Sequence, residues 1–236
     1  MFARPHLVIF DVNETLFSLE KLRPRLRNAG LDAGTLELWF SQTLRDGLAL
    51  SACQAPRPFM EVAEAALRVL LAQRGIEASE ARVRSVLGAF GELDPQPEAR
   101  EALALLRDAD VRLVTLTQGG AANTERLLAR ADLDGLVERC FSVEEVGPWK
   151  PFAEPYRHVL ERCGVEAQDA ALVSVHGWDI AGATACGLAT AWVSRLEKRA
   201  SFVMPPATVV GPDLVIASRQ LARARPGRTE LPASVH

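Results

Sequence analysis

The chain has 236 residues, 48% of them hydrophobic and 24% charged, which can bury one large domain or a domain carrying an inserted module. Its 27 Lys and Arg against 30 Asp and Glu leave a net charge of −3, so electrostatics give no reason to expect nucleic acid or an anionic membrane as partner. No apolar run reaches the length of a membrane span. The chain enters a strand-like run almost at once, at Leu7, which leaves no room for a signal peptide and makes the cytoplasm the expected location. Cys53, Cys140, Cys163 and Cys186 form no C-x-x-C pair and have no zinc-spaced His. They read as buried free thiols.

Leu7–Phe10 (LVIF) is a short continuous apolar run, the pattern of a strand covered on both faces. After it, the interval to about residue 90 reads as helix: Glu20–Asn28, Thr35–Leu50, Phe59–Arg74 and Ser79–Phe90. In the third of these, Val62, Ala66, Val69 and Leu70 predict one apolar stripe. Asp94-Pro95-Gln96-Pro97 reads as a stiff connector. Strand-like runs then recur at Val111–Leu116, Ala171–Val175, Ala189–Val193 and Leu214–Ala217, with a weaker one at Cys140–Val143.

Helical patterns alternate with them, at Glu98–Arg107, Ala122–Ala131, Pro155–Cys163 and Ile180–Cys186; Gly164 and Gly187 stand where a left-handed helix stop is wanted. This order predicts an α/β fold, a parallel sheet with helices on both faces. The expected division is a core of residues 1–17 and 94–218, a helical cap of 18–93 inserted after the first strand, and a loose tail of 219–236.

Ligands in such sheets bind beyond the carboxyl ends of the strands, near a switch in strand order. Asp11 stands at the end of the first strand, before the polar turn Asn13-Glu14-Thr15. Thr117, Gln118 and Gly119 end the next core strand, Lys150 precedes Pro151 in a later loop, and Asp179 follows the Ala171–Val175 strand. Singly these have plainer readings: a turn carboxylate, a solvated Lys, a helix-capping Thr. Together they bring two carboxylates, a hydroxyl and an ammonium to one sheet edge. A nearby Lys would keep Asp11 ionised, and an ionised carboxylate there can attack an electrophilic atom and form an ester.

FDVNETLF (Phe10–Phe17), TLTQGG (Thr115–Gly120), WKPFAEPY (Trp149–Tyr156) and SVHGWDIAGA (Ser174–Ala183) resemble, in order, the motifs of the haloacid-dehalogenase (HAD) superfamily. LWFSQTL (Leu38–Leu44) and Trp178-Asp179 look most like its L-2-haloacid dehalogenases (type II). The resemblance implies a Rossmann-like core with a helical cap, and displacement of halide by Asp11 at the substrate α-carbon. Hydrolysis of the aspartyl ester by water would follow, without a metal. In this reading Lys150 is the electrostatic partner of Asp11, Thr15 and Thr117 position the carboxylate or substrate, and Asp179 holds Lys150 and helps place the water. Asn13, Phe40, Phe59, Gln118, His176 and Trp178 are the candidate substrate-binding residues. The resemblance further implies a homodimer as the candidate assembly.

Several positions depart from the relatives. Phosphatases of the superfamily need an Asp where Asn13 stands, as general acid, and usually a metal-binding Asp where Val175 stands. Magnesium is therefore expected only under a phosphatase alternative. Dehalogenases generally carry an Arg at the position of Phe40, a Tyr at Asn13 and an Asn at His176; Arg45 and Arg57 are the cap residues that could replace the lost cation. Trp39, Phe40, Phe59 and Trp178 are expected to wall an apolar pocket, and Arg195 to lie at the surface. The expected function is a hydrolase acting on a small 2-substituted carboxylic acid. The alternatives are a Mg-dependent phosphatase and a catalytically silent binding homologue.

Overall fold

A computed structural model describes residues 3–32 and 34–226. Ala3–Arg4 (β1) precedes Leu7–Phe10 (β2), whose side chains are all fully buried, as an unbroken apolar run at the centre of an α/β sheet must be. Phe17–Ser18 (β3) leads into the helical insertion: a single 3-10 turn, then Leu22–Asn28 (α1), Thr35–Ala52 (α2), Phe59–Gln73 (α3) and Glu80–Gly88 (α4). Asp94–Pro95 (β4) pairs antiparallel with β3, so the outgoing and returning linkers are stitched together.

The core alternates from there. Ala99–Arg107 (α5), Arg112–Thr117 (β5), Ala121–Arg130 (α6), Arg139–Ser142 (β6) and Ala153–Cys163 (α7) are followed by Ala170–Ser174 (β7), Gly177–Ala185 (α8) and Ala189–Val193 (β8). Val209–Gly211 (β9), Leu214–Ala222 (α9) and Arg225–Pro226 (β10) complete the described chain. Gly164 and Gly187 take left-handed φ values of 64° and 85° just past α7 and α8, where residues with a Cβ are disfavoured.

Among the described residues, the main sheet has six parallel strands in the order β6-β5-β2-β7-β8-β9. The chain builds from β2 outward to β5 and β6, then crosses to β7 on the other side. The switch therefore falls at β2, and the crevice at its carboxyl end. No helix among the described residues is long and apolar enough to cross a membrane.

Four expectations are corrected. Leu214–Ala217 is the first turn of α9, not a strand. A short apolar run is ambiguous between the two, and the Asp213 side chain settles it by accepting a hydrogen bond from Ile216 N at 2.8 Å, an N-cap. The same helix runs through Ala222, so a loose tail does not begin at Arg219. β10 pairs with β1 beyond it, and the rest of the expected tail lies outside the described residues.

In α3, Val62, Ala66 and Leu70 are buried but Val69 is 52% exposed. Ala63, Leu67 and Leu71 complete the apolar face instead. Of the cysteines, only Cys140 is buried; Cys163 and Cys186 are half-buried and Cys53 is exposed.

Trp149 fastens the insertion to the core. Its indole Nε1 donates to Arg57 O at 2.9 Å, its backbone N donates to Ser51 Oγ at 3.0 Å, and its ring lies 5.7 Å from that of Phe59. The ring fits because α2 carries Gly47 at the crossing; a Cβ there would stand 2.2 Å from Trp149 Cζ3. Overpacking of this kind costs about 1–3 kcal/mol. Gly47→Ala is therefore expected to lower Tm by a few degrees in differential scanning calorimetry. An unchanged Tm would mean that the Trp149 seat is not tightly packed.

Candidate active site

Asp11 follows β2 directly and its backbone N donates to Val173 O at 3.0 Å, which extends the sheet register by one residue. Its side chain is 4% exposed. Thr15 Oγ1 donates to Asp11 Oδ2 at 2.6 Å and itself accepts from Val175 N at 3.1 Å. Lys150 Nζ donates to Asp11 Oδ1 at 2.8 Å, to Asp179 Oδ2 at 2.8 Å and to Leu116 O at 3.0 Å. An ammonium has three protons to donate, so Lys150 is fully satisfied in a place where it has no exposure at all.

Asp179 is equally filled. Its second oxygen, Oδ1, accepts from Tyr156 Oη at 2.5 Å. Gly182 permits this approach, since a Cβ there would lie 2.6 Å from Pro151 Cβ and 2.7 Å from the Tyr156 hydroxyl.

Burial by itself raises the pKa of a carboxyl group. At Asp11 the Lys150 ammonium and the bonds from Lys150 and Thr15 outweigh burial and hold the group below the ordinary carboxylate range. Asp179 lies deeper. There burial, with the Asp11 charge beside it, prevails over Lys150 and keeps the carboxyl above its ordinary value. Burial tends to lower the Lys150 pKa, but the two carboxylates more than offset it. Tyr156 is pushed well above its usual value by burial and by Asp179, so it stays a donor.

The remaining expected residues fall into distinct roles. Gln118, expected to bind substrate, has its amide turned to the Lys150 backbone. Its Nε2 donates to Lys150 O at 2.8 Å and its Oε1 accepts from Lys150 N at 3.0 Å, an amide clasp that fixes the lysine backbone. Thr117 Oγ1 accepts from Gly119 N at 3.0 Å and makes no bond to Asp11. It does not cap α6, whose N-cap is Gly120; it lines the cleft beside Asp11.

His176 is buried, with Nε2 3.3 Å from Asn13 O, 3.7 Å from Asp11 Oδ2 and 3.6 Å from Glu14 Oε2. Trp178 stacks on it at 5.1 Å between centroids, and Phe40 packs against it at 6.3 Å. Glu14 is a left-handed residue (φ 63°) whose carboxyl is held above its usual range, chiefly by burial.

A cleft of about 710 Å³ opens over this edge between cap and core. Asn13, Phe59, Thr117 and Gly119 line it. Of the four aromatics expected to wall it, only Phe59 does so. Trp39 is spent inside the cap, donating to Ala63 O at 2.8 Å, and Phe90, edge-on to Phe59 at 5.3 Å, takes part in its stead. Neither proposed replacement for the missing cap cation reaches it: Arg45 is exposed and paired with Asp46, and Arg57 is exposed on a different recess.

Two residues escape sequence reasoning. Tyr156 is the chain's single tyrosine, and its place one helical turn into α7, soon after Lys150, is a usable signal. Arg195 is half-buried rather than free at the surface. It ion-pairs with Glu98 at 2.6 Å and donates to Glu14 O at 2.9 Å and to Thr15 O. Nothing local in the sequence marks it.

The donor set does not fit a divalent ion. The Lys150 ammonium already lies between the two carboxylates that would have to bind one. Val175 has no side-chain oxygen to offer, and Asn13 O is turned to His176. Mg²⁺ demands a near-octahedral set of oxygens.

A profile of the haloacid dehalogenase-like hydrolases matches residues 5–187. The (S)-2-haloacid dehalogenase of Xanthobacter autotrophicus is 28% identical over 195 residues, covering 82% of this chain and 76% of that one. Haloacetate dehalogenase H-2 of Moraxella sp. (strain B) is 26% identical over 187 residues, covering 79% and 81%. In fold, the chain is similar to the L-2-haloacid dehalogenase of Xanthobacter autotrophicus solved with chloropropionic acid covalently bound. The TM-score is 0.85 at 24% identity, over 94% of this chain and 98% of that one. The match spans the core and its insertion alike, and this chain belongs to the haloacid dehalogenase-like hydrolases.

Proposed function

We propose that this hydrolase cleaves the carbon–halogen bond of a 2-halocarboxylic acid without a metal, through an ester formed on Asp11. The observation that carries the reading is the setting of Asp11. One oxygen is fixed by Lys150 and the other by Thr15, and the carboxylate is ionised at neutral pH, next to the cleft-lining Val12 and Asn13. The relatives named as (S)-2-haloacid dehalogenases support the substrate class.

In the first step an Asp11 oxygen attacks C2 of the acid from the side opposite the halogen. The C2–O bond forms as the carbon–halogen bond breaks, and halide departs with the bonding pair. In the second, water attacks Asp11 Cγ and the Cγ–O bond to the substrate breaks, so the C2–O bond is kept. The products are a 2-hydroxy acid, halide and one proton, and C2 is inverted once. Lys150 and Thr15 stabilise charge on the Asp11 oxygens in both steps. Asp179 and Tyr156 hold Lys150. His176, within 4 Å of Asp11, is placed to hold the attacking water.

Incubation with L-2-chloropropionate should release halide and D-lactate equally with magnesium or with a chelator, and Asp11→Asn should release none. Release of phosphate from p-nitrophenyl phosphate that needs magnesium, with no halide from the chloro acid, would overturn the reading. The pH profile gives a second check. The ionised form of Asp11 persists down to pH values below the ordinary carboxyl range because Lys150 is present. Lys150→Met should shift the acid limb of any residual kcat/KM upward, by roughly 1–3 pH units, and destabilise the fold by about 3–5 kcal/mol. An unmoved acid limb would contradict the assigned electrostatics.

A further inference from the structure

The cleft beside the Asp11 turn, which Val12, Asn13 and Thr117 line, is out of proportion to a two- or three-carbon acid. Its volume of about 710 Å³ falls within the roughly 300–1,000 Å³ of pockets that enclose drug-sized ligands. A haloacetate or halopropionate held at Asp11 would leave most of it unfilled. The space next to the reacting edge is walled by Phe59, Leu87 and Phe90 from the insertion, all buried apolar side chains. Glycines, rather than side chains, face it at several points, from α4 and from the turn before α6.

Gly88 is the informative one. It ends α4 with φ −59° and ψ −26°, a conformation that any residue adopts, so the backbone does not require glycine there. A Cβ built on it meets no atom within 4 Å. Its smallness therefore serves neither backbone strain nor close packing, and leaves the cleft open. At the rim the charges cancel: Arg126 and Arg130 stand with Glu92 and Glu144. Arg126 donates to Asn123 and Arg130 to Gly91 O. That rim offers no net attraction to a second charged group.

We infer that the cleft is a subsite for an uncharged apolar chain, so that the substrate is a medium-chain 2-halocarboxylic acid with its alkyl group along Phe59, Leu87 and Phe90. This rests on the dehalogenase reading for the chemistry at C2, but the subsite can be tested without turnover.

The test compares lactate with 2-hydroxyoctanoate by titration calorimetry, and 2-chloropropionate with 2-chlorooctanoate by halide release, in the wild type and in Gly88→Leu. Burying a methylene is worth about fourfold in affinity, so the octanoate is expected to bind at least tenfold tighter than lactate and to show a correspondingly higher kcat/KM. Gly88→Leu adds a side chain at a residue that lines the cleft, and the ratio of long to short ligand should fall toward one while Tm is kept or raised. Equal binding of the two hydroxy acids, no measurable binding of either, or a ratio unaffected by Gly88→Leu would each overturn the subsite. Binding preference without halide release from either acid would instead remove the dehalogenase chemistry and leave the subsite standing. Halide release at equal kcat/KM from both acids would do the reverse.

Discussion

The Lys150 ammonium is the interaction on which the rest of the site depends. A fully buried cation is tolerated only when its protons are all used and its charge is met, and here two carboxylates and a carbonyl do both. The surrounding structure serves to hold that nitrogen in place. Gln118 clasps the lysine backbone, Tyr156 occupies the free oxygen of Asp179, and Gly182 lets α8 come close enough for this to happen. One residue earlier, Trp149 is seated against Gly47 and Ser51 in the insertion. The same short stretch therefore supplies the charge and ties the cap to the core. Two carboxylates sharing one ammonium cannot be equally comfortable, and the imbalance favours ionisation of Asp11, the one next to the cleft-lining Val12 and Asn13.

The linkers between core and insertion are held with similar care. β3 and β4 pair with each other, Gln96 bonds to Leu16 O and Glu14 O, and Arg195 bridges Glu98 to the carbonyls of Glu14 and Thr15. Thr15 is the residue that fixes Asp11 Oδ2, so these contacts reach the reacting carboxylate through one intervening side chain. Glu14 takes a left-handed conformation there, which costs a non-glycine residue about 1–2 kcal/mol, and the hydrogen bonds to its carbonyl help to impose it. At the position where the resemblance leads one to expect a cap arginine, Phe40 packs against Phe59 and the His176 ring.

Much of this is legible in the residues. Runs such as Leu7–Phe10 and Ala189–Val193 have one reading at a sheet centre, and Asp11 at a strand end, with Lys150 and Asp179 in the segments that follow later strands, come together once the sheet is parallel. Leu214–Ala217 misleads because four apolar residues carry no period, and the deciding cap, Asp213, lies just outside the run. Gln118 and Arg195 mislead for a different reason. Their partners are 32 residues and more than 90 residues away in sequence, and a polar side chain does not announce whether it will meet a ligand or a backbone. The size of the cleft is likewise unreadable, since it depends on where Phe90 and Gly88 arrive rather than on what they are.

The central claim is that Asp11, and not a water molecule, attacks the substrate. A single turnover of 2-chloropropionate in oxygen-18 water, with enzyme in excess, separates the two by mass spectrometry of the Asp11 peptide and of the product. The account predicts a single oxygen-18 in the Asp11 carboxylate and an unlabelled hydroxyl on the 2-hydroxy acid. Label in the product hydroxyl, with the Asp11 peptide unchanged, would contradict it.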